Sequence, residues 1–599
     1  MTSATDPSAA PPRAALGVAR SAAGQFWSLR ETDDRQVLQL SQLHGLPDIV
    51  CRMLVARGIG ADVAPAYLDP KLRDLLPDPS SLSDMDKASE RLAQAIIDAE
   101  PIAVFGDYDV DGATSSALLL RYWKMCGHEM RAYIPDRQKE GYGPNDAALA
   151  QLDSEGYKLL ITVDCGTMAH GVLEKAKARG QEVIVSDHHQ TGGGLPDCFA
   201  LINPRRADDA SGLGHLAAVG VTFLLLVGVN RALRQKGFFE GKGEPDLTQL
   251  LDLVALGTVC DVVPLEGVNR AFVRQGLKVM ATGANVGVQA LGKVARAEGT
   301  WGTYQLGFQL GPRVNAGGRV GQSDLGVRLL STADPEEAIG LAQRLDDFNT
   351  QRRAIEADVQ EEAMRQVEVS LAKQNALGPF ILQAGKGWHA GVIGIVAGRL
   401  KDKYHRPSFV IAIDEDGMGK GSARSVSSVD IGRLVAGAVD LKLIEGGGGH
   451  AMAAGVTLHE SQVAGFEAYL AEQLGSMALD APRYLRLDAT LTPQGATREL
   501  WEQMQGAGPF GAGNNEPRVV LPSVRIVHQS VVGDGHVRCT FSGEGGGRLK
   551  AMAFASVPEE VRMVLQTARG PVHVAGYLRA DDWNGRRDVQ FMVHDVAIA

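Results

Sequence analysis

Residues 103–112 read Ala103-Val-Phe-Gly-Asp107-Tyr-Asp109-Val-Asp111-Gly112. An apolar run of strand character stops at Gly106, and three aspartates follow at every second position with no lysine or arginine among them. Carboxylates this close repel one another and are driven to protonate unless something cationic joins them. One such turn, taken alone, is more often solvated than functional, so its weight depends on what accompanies it.

Three further segments accompany it. PIAVFGD is followed by a helical stretch, ATSSALLLRYWKMCG, and MRAYIPD reads as a second strand. YKLLITVDCG is a third strand ending at Asp164, and QEVIVSDHH is a fourth ending at Asp187, His188 and His189. Strands that alternate with helices of this length predict a parallel α/β sheet. Ligands of such sheets bind outside the carboxyl ends of the strands, so separate strands deliver acids and imidazoles to one edge. Asp261 in TVCDVVPL follows another helix and completes the set. Oxygen ligands with one or two imidazoles suit Mn²⁺ or Mg²⁺. Two such ions sharing a carboxylate would activate water and stabilise the leaving oxygen of a phosphoester. The charge missing from the opening stretch is, on this reading, metal.

The chain has 599 residues, 45% hydrophobic and 22% charged, with a formal net charge of -11. That balance disfavours nucleic acid as a partner, although local fields outweigh the total in a long multidomain chain. The P-loop pattern is missing: GMGKGSARS puts Gly421 after the lysine, which argues against an ATP-driven motor. The six cysteines form no C-x-x-C pair, so neither a zinc site nor a disulfide framework is expected. Residues 216–229 are too short to span a membrane and read as a buried helix. The start lacks an apolar signal region, and the chain is expected to be cytoplasmic.

Residues 1–45 are expected to be a disordered tail, and 46–333 an N-terminal region plus the catalytic α/β domain. Asp334-Pro335-Glu336-Glu337 is a strong helix start, so 334–375 is expected to be a long helical connector. A second α/β unit follows at 376–480, and 484–599 holds short strands separated by Gly/Asp turns, expected to form a small β-barrel of OB type. Such a barrel binds single strands through aromatic stacking and a basic groove; Phe541, Tyr577, Trp583 and Arg586 are the candidates.

GDYDVDG, VDCGT, SDHH and CDVVPL, in this order, resemble the DHH phosphoesterases, and IEGGGGHAMAAG with GSARS resembles the associated DHHA1 domain. WHAGVIGIVAGRLKDKYHRPSFVI, GPRVNAGGR and GPFGAGNNEP are similar to the bacterial 5′→3′ exonuclease branch of that family, which is specific for single-stranded DNA and acts in recombination and repair. The resemblance covers Leu46 to the C-terminus. It implies metal ligands at Asp109, Asp111, Asp164, His188 and Asp261, with Asp164 bridging two ions, and supporting or water-orienting roles for Asp107 and His189. It implies substrate-phosphate contacts at Arg137, Arg319, Ser422 and Arg424, with Arg313 and His450 beside them. Single-stranded DNA is the implied partner, together with a single-strand-binding protein and a RecQ-type helicase. Two other readings remain open: a DHH phosphodiesterase acting on short oligonucleotides, and an inactive DHH scaffold in a replication assembly.

Overall fold

The computed structural model describes residues 13–137, 139–297, 301–374, 377–475, 483–582 and 587–599. Strand β1 (Gln25–Leu29) and the helix Asp34–His44 lie where a disordered tail was expected. The cause is long-range packing. Trp27 is fully buried, and its indole nitrogen donates to Asp595 Oδ2 at 2.9 Å, 568 residues away.

The catalytic sheet is formed by β2 (Ile102–Gly106), β3 (Arg131–Tyr133), β4 (Leu159–Val163), β5 (Glu182–Ser186) and β6 (Ala200–Ile202). Their order is β3-β2-β4-β5-β6, with every pairing parallel. All residues of β2 and β4 are buried, as parallel strands covered on both faces require. The chain runs from β2 to one side and then returns to place β4 on the other. The switch point, where open α/β sheets bind ligands, therefore falls between β2 and β4.

The connector is a single helix, Pro335–Gln374, 40 residues long, or about 60 Å at ~1.5 Å per residue. Its first half contributes Leu341 and Leu345 to the catalytic core; its second contributes Val359, Ala363 and Val367 to the next domain. That domain holds β7 (Ile381–Lys386), β8 (Ser408–Ile413), β9 (Met418–Arg424), β10 (Gly446–His450) and β11 (Ala453–His459) in the order β10-β11-β9-β8-β7. The glycine run Gly446–Gly449 lies in an edge strand, paired antiparallel with β11.

Strand β12 (Arg483–Leu487) pairs in parallel with β1 and leads into β13 (Ala489–Thr490). Five further strands follow: β14 (Val519–Val532), β15 (His536–Ser542), β16 (Arg548–Ala553), β17 (Val572–Asp581) and β18 (Asp588–Ile598). Pairing runs β14-β15-β16-β18-β17 and returns from β17 to β14, which closes a ring. Phe541 is fully buried inside it and is a core residue, not a stacking surface. Tyr577 is half-buried with the Arg579 guanidinium 5.0 Å from its ring; Trp583 and Arg586 lie outside the described residues.

The N-terminal helices share a core with this barrel: Val37, Leu40, Ile49 and Leu54 cluster with Val519, Phe541 and Phe591. Grouping residues from 46 onward with the catalytic domain therefore missed a contact that local patterning cannot reveal. The GPFGAGNNEP segment clasps the barrel unit to the catalytic domain. Arg270 donates to the carbonyls of Ala507 and Gly508, Leu265 N to Ala512 O at 2.8 Å, and Thr303 Oγ1 to Phe510 O at 2.6 Å.

Trp27→Ala removes a buried aromatic and leaves Asp595 Oδ2 without its donor. A loss of about 3–5 kcal/mol is expected, measured by denaturant unfolding; an unchanged midpoint would show that the N-terminal strand is dispensable.

Candidate metal centre and phosphate cavity

The turn after β2 is wound tightly. A Cβ on Gly112 would come within 2.4 Å of the Asp107 carbonyl oxygen, so only glycine fits. Asp109 caps the helix Val110–Met125, and its Oδ1 accepts from the amides of Asp111 and Gly112. Asp111 points the other way. Its two oxygens accept from Ala218 N at 2.6 Å and Val219 N at 2.9 Å, at the positive end of the helix Ala218–Gln235. Asp164 follows β4 with φ of 60°, a conformation non-glycine residues rarely hold and one that clusters at functional sites. Asp261 ends the helix Leu251–Cys260.

His188 stands at the centre. Its Nε2 lies 3.3 Å from Asp164 Oδ1, 3.6 Å from Asp261 Oδ2 and 3.8 Å from Asp111 Oδ2. Its Nδ1 is 3.0 Å from the Leu216 carbonyl, which can only accept, so Nδ1 carries the proton and Nε2 offers a lone pair. Three sets of potential ligand atoms each lie within 4.8 Å: Asp107, Asp109 and Asp164; Asp164, His188 and His189; Asp111, His188 and Asp261. Asp107 Oδ1 and Asp164 Oδ1 are buried with no hydrogen-bond partner. Orphaned anionic oxygens facing one another fit a divalent cation and little else.

The electrostatics agree. Burial, reinforced by Asp109, pushes Asp107, Asp111 and Asp164 up, Asp111 to about 7. Burial and Asp111 push Asp261 up to about 9. Burial, helped by His189, drops His188 to about 4, which keeps it neutral as a ligand must be.

His189 differs from His188. Its Nδ1 is 2.7 Å from Asp187 Oδ1, which also accepts from the amides of His188 and His189, while Thr167 N donates to Oδ2. Burial opposes protonation of His189, but Asp187 overcomes it and raises the imidazole above its ordinary value. Asp187 thus positions His189 and holds the loop; the sequence placed it at the right strand end without this role. Tyr142 was missed altogether. Its hydroxyl donates to the Asp164 carbonyl at 3.1 Å and lies 3.2 Å from His189 Nδ1. The GYG segment after Arg137 was the available signal.

Across the centre lies a cavity of about 950 Å³, lined by Arg137, Arg319, Lys386, Trp388, Lys420, Ser422, Arg424 and Gly448 among others. Arg137 sits 5.1 Å from the ring of Tyr108, the residue between Asp107 and Asp109. Arg319 donates to the Gly391 carbonyl at 3.1 Å, and burial with the nearby Arg137 lowers it to about 10. Arg424 Nη1 is 3.1 Å from Ser422 Oγ. Gly394 opens the helix Ile393–Tyr404 beside both; a Cβ there would lie 3.0 Å from each side chain. Convergent guanidiniums beside a helix N-terminus suit an anion such as phosphate.

Two expected members stand apart. Arg313 is ion-paired with Asp346 at 2.8 Å and donates to the Gln309 carbonyl, which turns it away from the cavity. His450 is exposed at the end of β10; Gly448 and Gly449 line the cavity in its place.

The architecture is that of a DHH phosphoesterase carrying a DHHA1 domain: the DHH family N-terminal domain matches residues 101–258, and the DHHA1 domain matches 377–476. A third match, the RecJ OB domain at 487–595, narrows the assignment. The single-stranded-DNA-specific exonuclease RecJ of Dickeya dadantii is 36% identical, over 92% of this chain and 96% of its own. Crystal structures of Thermus thermophilus RecJ superpose with TM-scores of 0.78 in the Mn²⁺ complex and 0.71 in the Mg²⁺ complex. These are 28% and 26% identical, covering 95% and 96% of this chain and 79% and 78% of theirs. The chain belongs to the RecJ family. Among the described residues, no helix is long and apolar enough to cross a membrane.

In the unfolded chain the carboxyls titrate near ~3.9, and in the fold Asp111 and Asp261 titrate near 7 and 9. Between those limits the folded state retains protons that the unfolded chain has released, so stability falls as pH rises. Thermal melts in chelator are therefore expected to drop from pH 5 to pH 8. Added Mn²⁺ should abolish the drop, and Asp261→Asn should flatten it. A pH-independent melt in chelator would contradict this electrostatic account.

Proposed function

We propose that this chain is an exonuclease that removes mononucleotides from the 5′ end of single-stranded DNA, with two Mn²⁺ or Mg²⁺ ions as cofactors. The observation that carries the reading is the cluster of orphaned carboxylates at the sheet's switch point, facing a cavity lined by arginines. Asp109, Asp111, Asp164, His188 and Asp261 would hold the ions, with Asp164 shared. When bound, the ions supply Lewis acidity on both the attacking and leaving sides of a phosphoester.

The remaining work falls to the protein. Asp107 and His189 flank the ligands and orient water toward the scissile phosphorus. Asp187 holds the His189 imidazole above its ordinary pKa, which favours hydrogen-bond donation toward the water and the phosphate oxygens. Arg424 and Ser422, with Arg137 and Arg319, hold the 5′-terminal phosphate. A terminal phosphate is a dianion that an internal linkage lacks, and the planar guanidinium fork grips it in two places. Holding that end fixes which linkage lies over the metals and so gives the reaction its polarity. Action on short oligonucleotides alone is the weaker reading, since it gives the barrel no task. An inactive scaffold is disfavoured because every ligand is present.

Asp164→Ala is expected to abolish hydrolysis while circular dichroism shows a folded protein; a folded variant that keeps most activity would displace the proposed centre. In single-turnover assays, 5′-phosphorylated strands should be cut faster than 5′-hydroxyl strands. Arg424→Ala should narrow that gap about ten-fold or more, from the ~1.5–3 kcal/mol of a charged hydrogen bond, and Arg424→Lys should restore it in part. If the wild type shows no preference, the arginine cavity does not read the end.

A further inference from the structure

An exposed aromatic pair stands on a turn hydrogen-bonded to Cys260, the residue before Asp261, and has no role in the proposed chemistry. Tyr304 and Phe308 stack with ring centroids 5.2 Å apart and planes 27° from parallel. They are 54% and 72% exposed, and Phe308 is the most exposed of the large hydrophobic side chains among the described residues. Leaving two aromatic faces in water forfeits burial that nearly every other phenylalanine here obtains.

The backbone beneath them is unusual. Gln305–Leu310 forms a π-helical turn, a rare geometry that recurs at functional sites. That turn is anchored on both sides. Cys260 Sγ donates to the Leu306 carbonyl at 3.4 Å, and Cys260 directly precedes the metal-ligand candidate Asp261. Thr303 Oγ1 donates to the carbonyl of Phe510, in the segment that clasps the barrel unit. The pair therefore sits on a bridge between the catalytic edge and the barrel side. Val262, next to Asp261, is 68% exposed with φ of 61°, an outlier for a β-branched residue.

We propose that Tyr304 and Phe308 form a base-stacking platform for the single strand behind the nucleotide being cleaved. This rests on the exonuclease reading above. Every base presents a π-face, so a stacked pair of exposed rings holds a strand without regard to sequence. Between the two rings the turn carries no charge: Gln305 and Gly307 are half-buried and Leu306 is turned into the core. It therefore supplies stacking, while the arginine cavity supplies the phosphate contacts. Continuity with the metal centre selects a strand of nucleic acid as the occupant over a protein partner.

The test uses the full chain with Mn²⁺ and 5′-phosphorylated oligothymidylates of 4 and 20 nucleotides. A second 20-mer carries abasic sites at positions 3 to 8 from the 5′ end. Wild type is expected to cut the intact 20-mer with a KM well below that of the abasic strand. Tyr304→Ala/Phe308→Ala should raise KM for the intact 20-mer about ten-fold, from the ~1–3 kcal/mol that a stacked base contributes. It should leave the abasic 20-mer nearly unchanged and affect the 4-mer less than the intact 20-mer. Phe308→Trp in the Tyr304→Ala background should recover much of the loss, which a merely structural role would not allow. If the alanine variant, folded by circular dichroism, binds intact and abasic strands with the same ratio as wild type, the platform is overturned and the rings face some other partner. Failure of wild type to cut any strand would instead overturn the exonuclease reading.

Discussion

The mutual repulsion of buried carboxylates is the constraint on which this molecule is organised. Asp107, Asp111 and Asp164 are almost wholly removed from water, and Asp261 is half-buried. Among the described residues no lysine or arginine forms an ion pair with any of them; the basic side chains within 4 Å are His188, which is neutral, and His189. A protein selected for stability alone would not keep such a cluster. The fold meets part of the cost with fixed dipoles: a helix N-terminus for Asp111, a capped turn for Asp109, and the Leu216 carbonyl that aims His188. It leaves single oxygens of Asp107 and Asp164 without a hydrogen-bond partner, which suits a bound cation.

How much of this was legible in sequence depended on the range over which each signal acts. Acids at strand ends were readable because apolar runs stop abruptly at Gly106, Val163 and Ser186, and the parallel sheet follows from the alternation. The 40-residue connector announced itself through its cap and its lack of internal proline. Pairing between Gln25–Leu29 and Arg483–Leu487 left no trace, because five ordinary residues near a terminus look the same whether or not a partner strand waits far along the chain. Phe541 was offered as a stacking surface because sequence does not say which side of a closing barrel an alternate residue faces; it faces inward. Arg313 and Arg319 lie six residues apart on one helix, yet one is neutralised by Asp346 and the other lines the cavity. Spacing alone cannot separate them, since the deciding acid lies on a different helix.

The two halves of the candidate site are held to each other by contacts that belong to neither half alone. Arg137 lies over Tyr108, inside the metal-binding turn, and also lines the phosphate cavity. Arg319 comes from the catalytic side and donates to Gly391, just ahead of the helix that approaches Arg424. The connector helix enters both cores, so the separation between them is set by one rigid element rather than by a loop. On the function proposed for the two halves, a fixed separation between the end-binding cavity and the hydrolytic centre has a direct chemical consequence. Whatever phosphate occupies the arginines, the linkage over the carboxylates is always the same number of bonds away. Each cut exposes a new 5′-phosphate of the same charge and shape, which can move into the same cavity. On that reading, directionality and a constant step size follow from geometry, with no energy source required, in keeping with a chain that lacks a nucleotide-binding P-loop.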